Sequence, residues 1–194
     1  MKRKKIVHVI TGNEGGGAEK MLEKLSLFSK STFEHHVIVL KFGNKLNVQN
    51  LHQFDFTKNP LNFIFEFLKL LIFFKKLKPD VIMSWLYHSD LLTLILTKIL
   101  RFPKDRLIWN VRCSYLDLDD YNFTTKVVLK FLSKFSKNVG RIIFNSFEGM
   151  RYHKMIGYKN KYMEVIPNGF DLNSMKLNNF KKKILKKKIK IQSK

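Results

Sequence analysis

Three scarcities limit what this chain of 194 residues can be. It has one cysteine, Cys113, which excludes a disulfide-built domain and a zinc site made of several cysteines. Only 15 acidic residues stand against 37 lysines and arginines, so the formal net charge is +22. No apolar run reaches the roughly 18 residues of a membrane-spanning helix, and the stretch after the basic start is too short for a signal peptide. We therefore expect a cytoplasmic protein, either free or peripheral at the inner face of the membrane.

The positive charge is concentrated near the end of the chain. After Asp171 there are nine lysines and no acidic residue. We predict a domain over residues 1–171 and a Lys-rich tail over 172–194, disordered or marginally helical. A solvated tail and contact with anionic lipid both fit this composition. Specific nucleic-acid binding is not expected, because no recognition motif accompanies the lysines and the aromatic residues do not alternate with them.

Apolar runs typical of strands alternate along the chain with helical periodicity. Strands are predicted at 5–10, 36–40, 80–85, 106–111, 141–144 and 162–166, with a short further strand hidden within 43–56. Helices are predicted near 18–28, 61–77, 89–100, 124–135 and 146–156. Because the strands are continuous apolar runs, both faces of their sheet should be covered by helices. This order predicts an α/β fold, a Rossmann-like parallel sheet of six or seven strands.

The most apolar segment, residues 61–74, leaves two interpretations open. It contains Glu66 and Lys69, so it is not a membrane span. A helix of this composition either packs into the protein core or lies at a membrane surface.

Polar residues follow several of the predicted strands. In a doubly wound sheet, ligands bind outside the carboxyl ends of the strands. Residues placed at that edge are Thr11 to Glu19, Trp85, Tyr87, His88, Arg112, Cys113, Ser114, Asn145, Ser146 and Glu148. We therefore expect a site to which Tyr87, His88, Arg112, Asn145 and Ser146 contribute.

The glycine cluster 15–17, between the first strand and the first helix, is suited to phosphate, because backbone amides and the helix dipole can meet an anion there. Ala18 and Glu19 occupy the places where a P-loop needs lysine and Ser/Thr. Lys20 stands where a dinucleotide fingerprint needs a small residue, which disfavours a nicotinamide-dependent oxidoreductase. Glu19 either complements the helix dipole or contacts a ligand.

Five short motifs in this order and spacing resemble the N-terminal half of a family 4 glycosyltransferase with the GT-B fold. They are Gly16-Gly17-Ala18-Glu19-Lys20, Ser84 to Leu91, Val111-Arg112, Asn145 to Gly149, and Val165 to Asp171. The resemblance implies two Rossmann-like domains across a cleft, the first holding the acceptor and the second most of a nucleotide-sugar donor. It also implies transfer with retention of configuration and without a bound metal or other cofactor.

The resemblance assigns roles to individual residues. Gly16 and Gly17, with Glu19, would approach the donor diphosphate or sugar. His88 would lie near the reacting sugar as the catalytic residue, and Arg112 would bind acceptor or phosphate. Tyr87 either stacks on a sugar or packs in the core. The acidic run Asp117, Asp119 and Asp120 is expected to cap a helix rather than to hold a metal.

The residues after Asp171 are too few for a second Rossmann-like unit. We therefore expect that the chain alone does not transfer sugar. It is interpreted either as a truncated or frame-disrupted copy of such an enzyme or as a fragment of a split enzyme that a separate donor-domain chain would complete. The alternative is a non-catalytic remnant or subunit that docks a lipid-linked acceptor, a membrane surface or a partner chain. In either case, part of its cleft-facing surface should be exposed.

Overall fold

The computed structural model describes residues 3–12, 16–41, 43, 46–113 and 121–169. Within them lie seven strands: β1 (Lys4–Ile10), β2 (Phe33–Val39), β3 (Leu51–Gln53), β4 (Val81–Trp85), β5 (Leu107–Val111), β6 (Arg141–Phe144) and β7 (Met163–Val165). The same residues form five α-helices: α1 (Gly17–Phe28), α2 (Pro60–Leu77), α3 (Tyr87–Ile99), α4 (Phe123–Phe135) and α5 (Phe147–Met155). The predicted Lys-rich tail lies outside the described residues.

The seven strands form a single parallel sheet in the order β3-β2-β1-β4-β5-β6-β7. The chain first winds outward from β1 to β3, then returns to the centre and winds the other way from β4 to β7. This confirms the α/β prediction, including the short strand expected within 43–56. Because β1 pairs with β4, the order reverses between these two strands, and Ile10 lies opposite Trp85 in their register.

Helices cover both faces of the sheet, as the continuous apolar strands predict. On one face, α2, α3 and α4 bury residues such as Leu70, Leu96 and Leu132 against the sheet. On the other face, α1 buries Leu22 against Ile10 and its neighbours in β1 and β2. Trp85 belongs to this second cluster and is fully buried.

The ends of the helices follow from local chemistry. Asn59 caps α2 by accepting the amide of Asn62 at 2.8 Å, and Pro60 supplies a ring already suited to the first turn. The helix ends at Leu77, and the following residue, Lys78, takes a left-handed conformation at φ 50° directly before Pro79. Proline disfavours a helical residue before it, so the predicted end of this helix is confirmed.

Helix α2 has a buried side and an exposed apolar side. Leu70 and Phe74 are buried in the core, whereas Leu61 and Phe65 on the opposite side are 78% and 66% exposed. Among the described residues, no helix is long and apolar enough to cross a membrane.

The loops before β5 and β6 approach each other at Gly140. A Cβ atom at Gly140 would lie 2.6 Å from the carbonyl carbon of Asp105 and even closer to its oxygen. Both atoms belong to backbone, and the Gly140 amide is held by Leu107 at 2.9 Å, so the loops cannot separate without losing this bond.

We expect Gly140→Ala to lower the free energy of unfolding by about 1–3 kcal/mol, because the new methyl group must displace packed backbone. Urea denaturation monitored by circular dichroism measures the change. Gly17→Ala is the matched control, since a Cβ there meets no atom within 4 Å and the residue lies in a helix. Equal stability of the two variants would contradict this account of the close approach.

Candidate functional site

One hydrogen bond joins the loop after β1 to the start of α3, at the point where the winding of the sheet reverses. The hydroxyls of Thr11, after β1, and Ser89, in the first turn of α3, are hydrogen-bonded at 2.9 Å. Ser89 is fully buried, so this contact anchors the start of α3 to the loop after β1. Crevices at such reversal points are the usual ligand sites of open α/β sheets. Two openings lie on this edge, one containing His88 and the other Arg112.

The first opening is a cavity of about 290 Å³ between α2, α3 and the end of β2. Its lining residues are Thr11, Leu40, Lys41, Phe56, Thr57, Phe63, His88, Leu91, Leu92 and Ile95. Six of these ten are apolar, and none is acidic. The cavity therefore suits a ligand with an apolar part and a polar or anionic end near Lys41 and His88.

His88 lies in the first turn of α3 and keeps an exposed side chain. Partial loss of hydration lowers its pKa from the usual value. A lowered pKa makes the imidazole neutral at pH 7, so one ring nitrogen can donate a hydrogen bond while the other accepts one. The role of His88 near a reacting sugar stays a prediction.

The second opening is a cleft of about 560 Å³ between α1 and the segment after β7. Its lining residues are Met21, Lys24, Leu25, Phe28, Trp85, Arg112, Ile166, Pro167 and Gly169. This set contains two cations, and the first opening contains Lys41. The described residues that line the two openings include no carboxylate, so this part of the chain favours anionic ligands over cationic ones.

Arg112 joins β5 to the segment after β7. Its guanidinium donates to the Asn168 side-chain oxygen at 2.7 Å and to the Ile166 carbonyl at 3.4 Å. The same group lies over the Trp85 ring, 5.4 Å from its centroid. Burial lowers the pKa of Arg112, and its Nε is buried without a partner among the described residues. The predicted ligand-binding residue thus lies in a cleft, where part of its guanidinium already holds the Pro167-Asn168-Gly169 stretch.

A series of hydrogen bonds through two buried histidines, His8 and His35, holds the Trp85 ring. The indole Nε1 donates to His8 Nδ1 at 3.2 Å, and His8 Nε2 lies 2.9 Å from His35 Nδ1. His35 Nε2 in turn meets the Ser29 hydroxyl at 2.9 Å, which donates to the Leu25 carbonyl. Complete burial lowers the pKa of His8 to about 3, so it is neutral and each group in the series can donate to the next. Sequence reasoning missed His8, because its apolar neighbours in β1 give no sign of this contact.

The carboxylate of Glu19, in the first turn of α1, lies close to Gly16. Gly16 precedes α1, and a Cβ there would lie 2.8 Å from a Glu19 carboxylate oxygen. Glu19 is buried in the first turn, where its charge complements the helix dipole. This arrangement fits the dipole interpretation, and a diphosphate approaching Gly16 and Gly17 would meet that carboxylate. The donor role of these three residues stays a prediction, and Gly15 lies outside the described residues.

The remaining predicted site residues differ in exposure. Tyr87 is buried and turned away from both openings, with its hydroxyl 3.0 Å from His153 Nε2. His153 Nδ1 donates to the Gly149 carbonyl, and burial lowers its pKa to about 4, so Nε2 accepts from Tyr87. Ser146 accepts the Gly149 amide at 3.0 Å as the cap of α5, and Asn145 before it is half-buried. Roles in binding substrate stay predictions for Tyr87, Asn145 and Ser146.

A buried carboxyl group, Asp90, lies in α3 two residues after His88. It accepts a hydrogen bond from Ser84, while its second oxygen has no partner among the described residues. Burial raises the pKa of Asp90 to about 8. Burial, together with the negative form of Asp90, also raises the pKa of Tyr158. The sequence placed Asp90 within a motif but gave no sign that it would be buried with one oxygen unsatisfied.

The acidic run at 117, 119 and 120, weighed as a helix cap or metal site, lies outside the described residues, as does Ser114. Within the described part of the chain, no group of three or more His, Cys, Asp or Glu could hold a metal ion.

The reversing parallel sheet and the two openings at its carboxyl edge define a Rossmann-like ligand-binding domain. Residues 15–174 match the model of the family described as Glycosyltransferase Family 4. The chain therefore belongs to glycosyltransferase family 4. No curated protein matches it.

Solved structures show the same fold at low identity. The Anabaena protein HepE, crystallised with UDP, is 19% identical with a TM-score of 0.73, over 95% of this chain and 50% of HepE. A glycosyltransferase from Rickettsia africae is 15% identical with a TM-score of 0.66, over 100% of this chain and 51% of the other. The lipopolysaccharide outer core galactosyltransferase WaaB is 14% identical with a TM-score of 0.62, over 86% and 46%. This chain thus spans about half the length of these GT-B proteins and has the fold of one half.

Asp90→Asn tests the buried carboxyl group. The folded-state pKa of Asp90, about 8, lies above the unfolded value of 3.8, so charging this group costs stability as pH rises between these values. We expect the unfolding free energy of wild type to fall relative to Asp90→Asn from pH 5 to pH 8, by at most about 1.4 kcal/mol per pH unit.

Urea denaturation at several pH values measures this trend. The amide introduced by Asp90→Asn changes the free energy of unfolding by an amount that does not depend on pH. The informative quantity is therefore the slope, against pH, of the difference in unfolding free energy between the two proteins. Asp105→Asn removes the same charge from an exposed position and serves as control. A constant difference between wild type and Asp90→Asn would show that Asp90 is not held in its neutral form.

Proposed function

We propose that this chain is the acceptor-side half of a retaining GT-B glycosyltransferase, which moves a hexosyl group from a nucleotide sugar to a glycan or lipid-linked acceptor of the cell surface. The match of residues 15–174 to the family model carries this proposal. Because the chain spans about half the length of HepE, we expect transfer to require a donor-binding half as well.

The charges at the two openings support anionic substrates. Lys24 and Arg112 line the cleft, and Lys41 lines the cavity beside the neutral His88, with no carboxylate among the described lining residues. A nucleotide sugar carries a diphosphate, and HepE has been crystallised with UDP-glucose. The cleft between Arg112 and the segment after β7 is the part of this domain that would face such a donor.

The apolar cavity favours a lipid-linked acceptor over a free glycan. Leu40, Phe56 and Leu92 contribute to an apolar lining behind His88, and a chain there would be removed from water. The relative WaaB acts on the lipopolysaccharide outer core, a glycan attached to lipid. A lipid-linked acceptor would place the protein at the inner face of the membrane.

Within this scheme, His88 is the catalytic residue of this half. Its neutral imidazole would donate a hydrogen bond to the sugar at the reacting centre and stabilise charge that develops there. No metal ion or other cofactor is expected to take part. Arg112 would contribute its partly buried cation to phosphate or acceptor binding while it holds the segment after β7.

A transfer assay tests the proposal. The purified chain is incubated with a panel of nucleotide sugars and lipid-linked acceptors, with and without a separately expressed donor half. Transfer only with the donor half supports the proposal. Transfer by the chain alone would show that no separate donor half is required. A folded protein that binds acceptor but never supports transfer would favour a non-catalytic docking subunit.

His88→Ala should lower kcat of the completed enzyme by about 10²-fold while changing acceptor KM much less, because the lost interaction forms mainly in the transition state. Steady-state kinetics with varied acceptor separates the two constants. Arg106→Ala, at the amino end of β5 and exposed, is the control for truncation of an exposed side chain at the opposite edge of the sheet. Unchanged turnover in His88→Ala would remove His88 from the catalytic role.

A further inference from the structure

Helix α2 presents to solvent a stripe of large apolar side chains that the core does not use. Its members are Leu61, Ile64, Phe65, Leu68 and Ile72, each between 51% and 78% exposed. Their spacing of three, four, seven and eleven residues from Leu61 places them along one side of the helix. The opposite side buries Leu70 and Phe74 against the sheet, so the stripe faces away from the protein.

The exposed charges of α2 are all positive. Lys69, Lys75 and Lys76 are exposed, and helix geometry places them along the borders of the stripe and at its C-terminal end. The single acidic residue of the helix, Glu66, is buried and held by Lys69 Nζ at 2.7 Å. The outer face therefore consists of apolar and cationic groups without an exposed carboxylate.

We propose that this outer face of α2 docks the domain onto an anionic membrane surface. A stripe of Leu, Ile and Phe bordered by lysines is the pattern of a helix that lies in the interface, its apolar side among the acyl chains and its cations at the headgroups. Three lysines within the 18 residues of α2 fit a helix that lies on the membrane rather than across it.

The cavity behind His88 lies on the other side of α2 from the stripe. Phe63, on the first turn of α2, lines the cavity and packs edge-on against Phe56 with ring centroids 5.1 Å apart. Helix periodicity places Phe63 on the same side as Leu70 and Phe74. The stripe and the cavity are therefore separate surfaces, and docking onto lipid requires no transfer activity.

Charge also argues against a second copy of the chain as the partner that covers the outer face of α2. Two α2 faces brought together would oppose lysine to lysine, in chains that each carry a formal net charge of +22. An anionic lipid surface supplies the opposite sign together with an apolar layer.

Vesicle co-sedimentation of the full chain tests the proposal, with phosphatidylcholine vesicles that contain or lack phosphatidylglycerol. We expect binding that requires phosphatidylglycerol and weakens with added salt. Phe65→Glu/Leu68→Glu should lower vesicle affinity by at least about tenfold, because two carboxylates replace side chains that enter the interface.

The matched control is Leu27→Glu/Met155→Glu, which makes the same charge change at exposed apolar residues of α1 and α5. It should bind vesicles nearly as well as wild type. Equal loss in both variants, or retained binding in both, would overturn the proposal and assign lipid binding to the overall charge or to the lysines after Asp171. The proposal would also be overturned if sedimentation equilibrium without lipid showed a dimer that is lost only in the α2 variant, because a second copy of the chain would then cover this face.

A second readout does not depend on the folding of the glutamate variants. In Phe65→Trp, the new indole should shift its emission to the blue and be quenched by lipid-borne quenchers when phosphatidylglycerol vesicles are added. Leu27→Trp, on the helix of the other sheet face, should show neither change. The same response from both indoles would overturn the proposal, and neither measurement requires a donor half, so its result is independent of the transfer assay.

Discussion

The parallel pairing of β1 with β4 is the constraint on which the rest of the structure depends. The sheet reverses its winding between these strands, so the loops that follow them diverge and leave a crevice. Their register sets Ile10 beside Trp85, and the Thr11–Ser89 hydrogen bond closes the same junction at its edge. The cavity at His88 includes Thr11, and the cleft at Arg112 includes Trp85. Both openings are therefore consequences of one strand pairing.

Buried polar groups in neutral form support this edge from within. Burial lowers the pKa of His8 and His153 to about 3 and 4 and raises that of Asp90 to about 8, in each case because a charge would lose its hydration. His8 and His153 use their neutral rings to hold Trp85 and Tyr87 through hydrogen bonds. Trp85 at the end of β4 and Tyr87 at the start of α3 thus become fixed parts of the framework.

The order of elements and much of the site edge could be predicted from the sequence, because strand runs, helix periodicity and the position of a residue after a strand are local properties. His88 and Arg112 lie at openings for this reason. Other features depend on contacts between distant segments. Lys41 reaches the cavity only because α2 and α3 complete its walls, and Tyr87 turns inward because His153, 66 residues later, accepts its hydroxyl. No pattern within either segment contains that information.

The sequence by itself determined the α/β class, the order of the strands along the chain, the excess of positive charge and the motifs that mark a family 4 glycosyltransferase. Tertiary structure alone decided which side chains are removed from water. It divided α2 into a buried side and an exposed apolar side, left one oxygen of Asp90 without a partner among the described residues, and folded Glu19 back over Gly16. The physical reason is that periodicity and composition act along the chain, whereas hydration, pKa and the shape of a cavity are set by whichever segments meet in space.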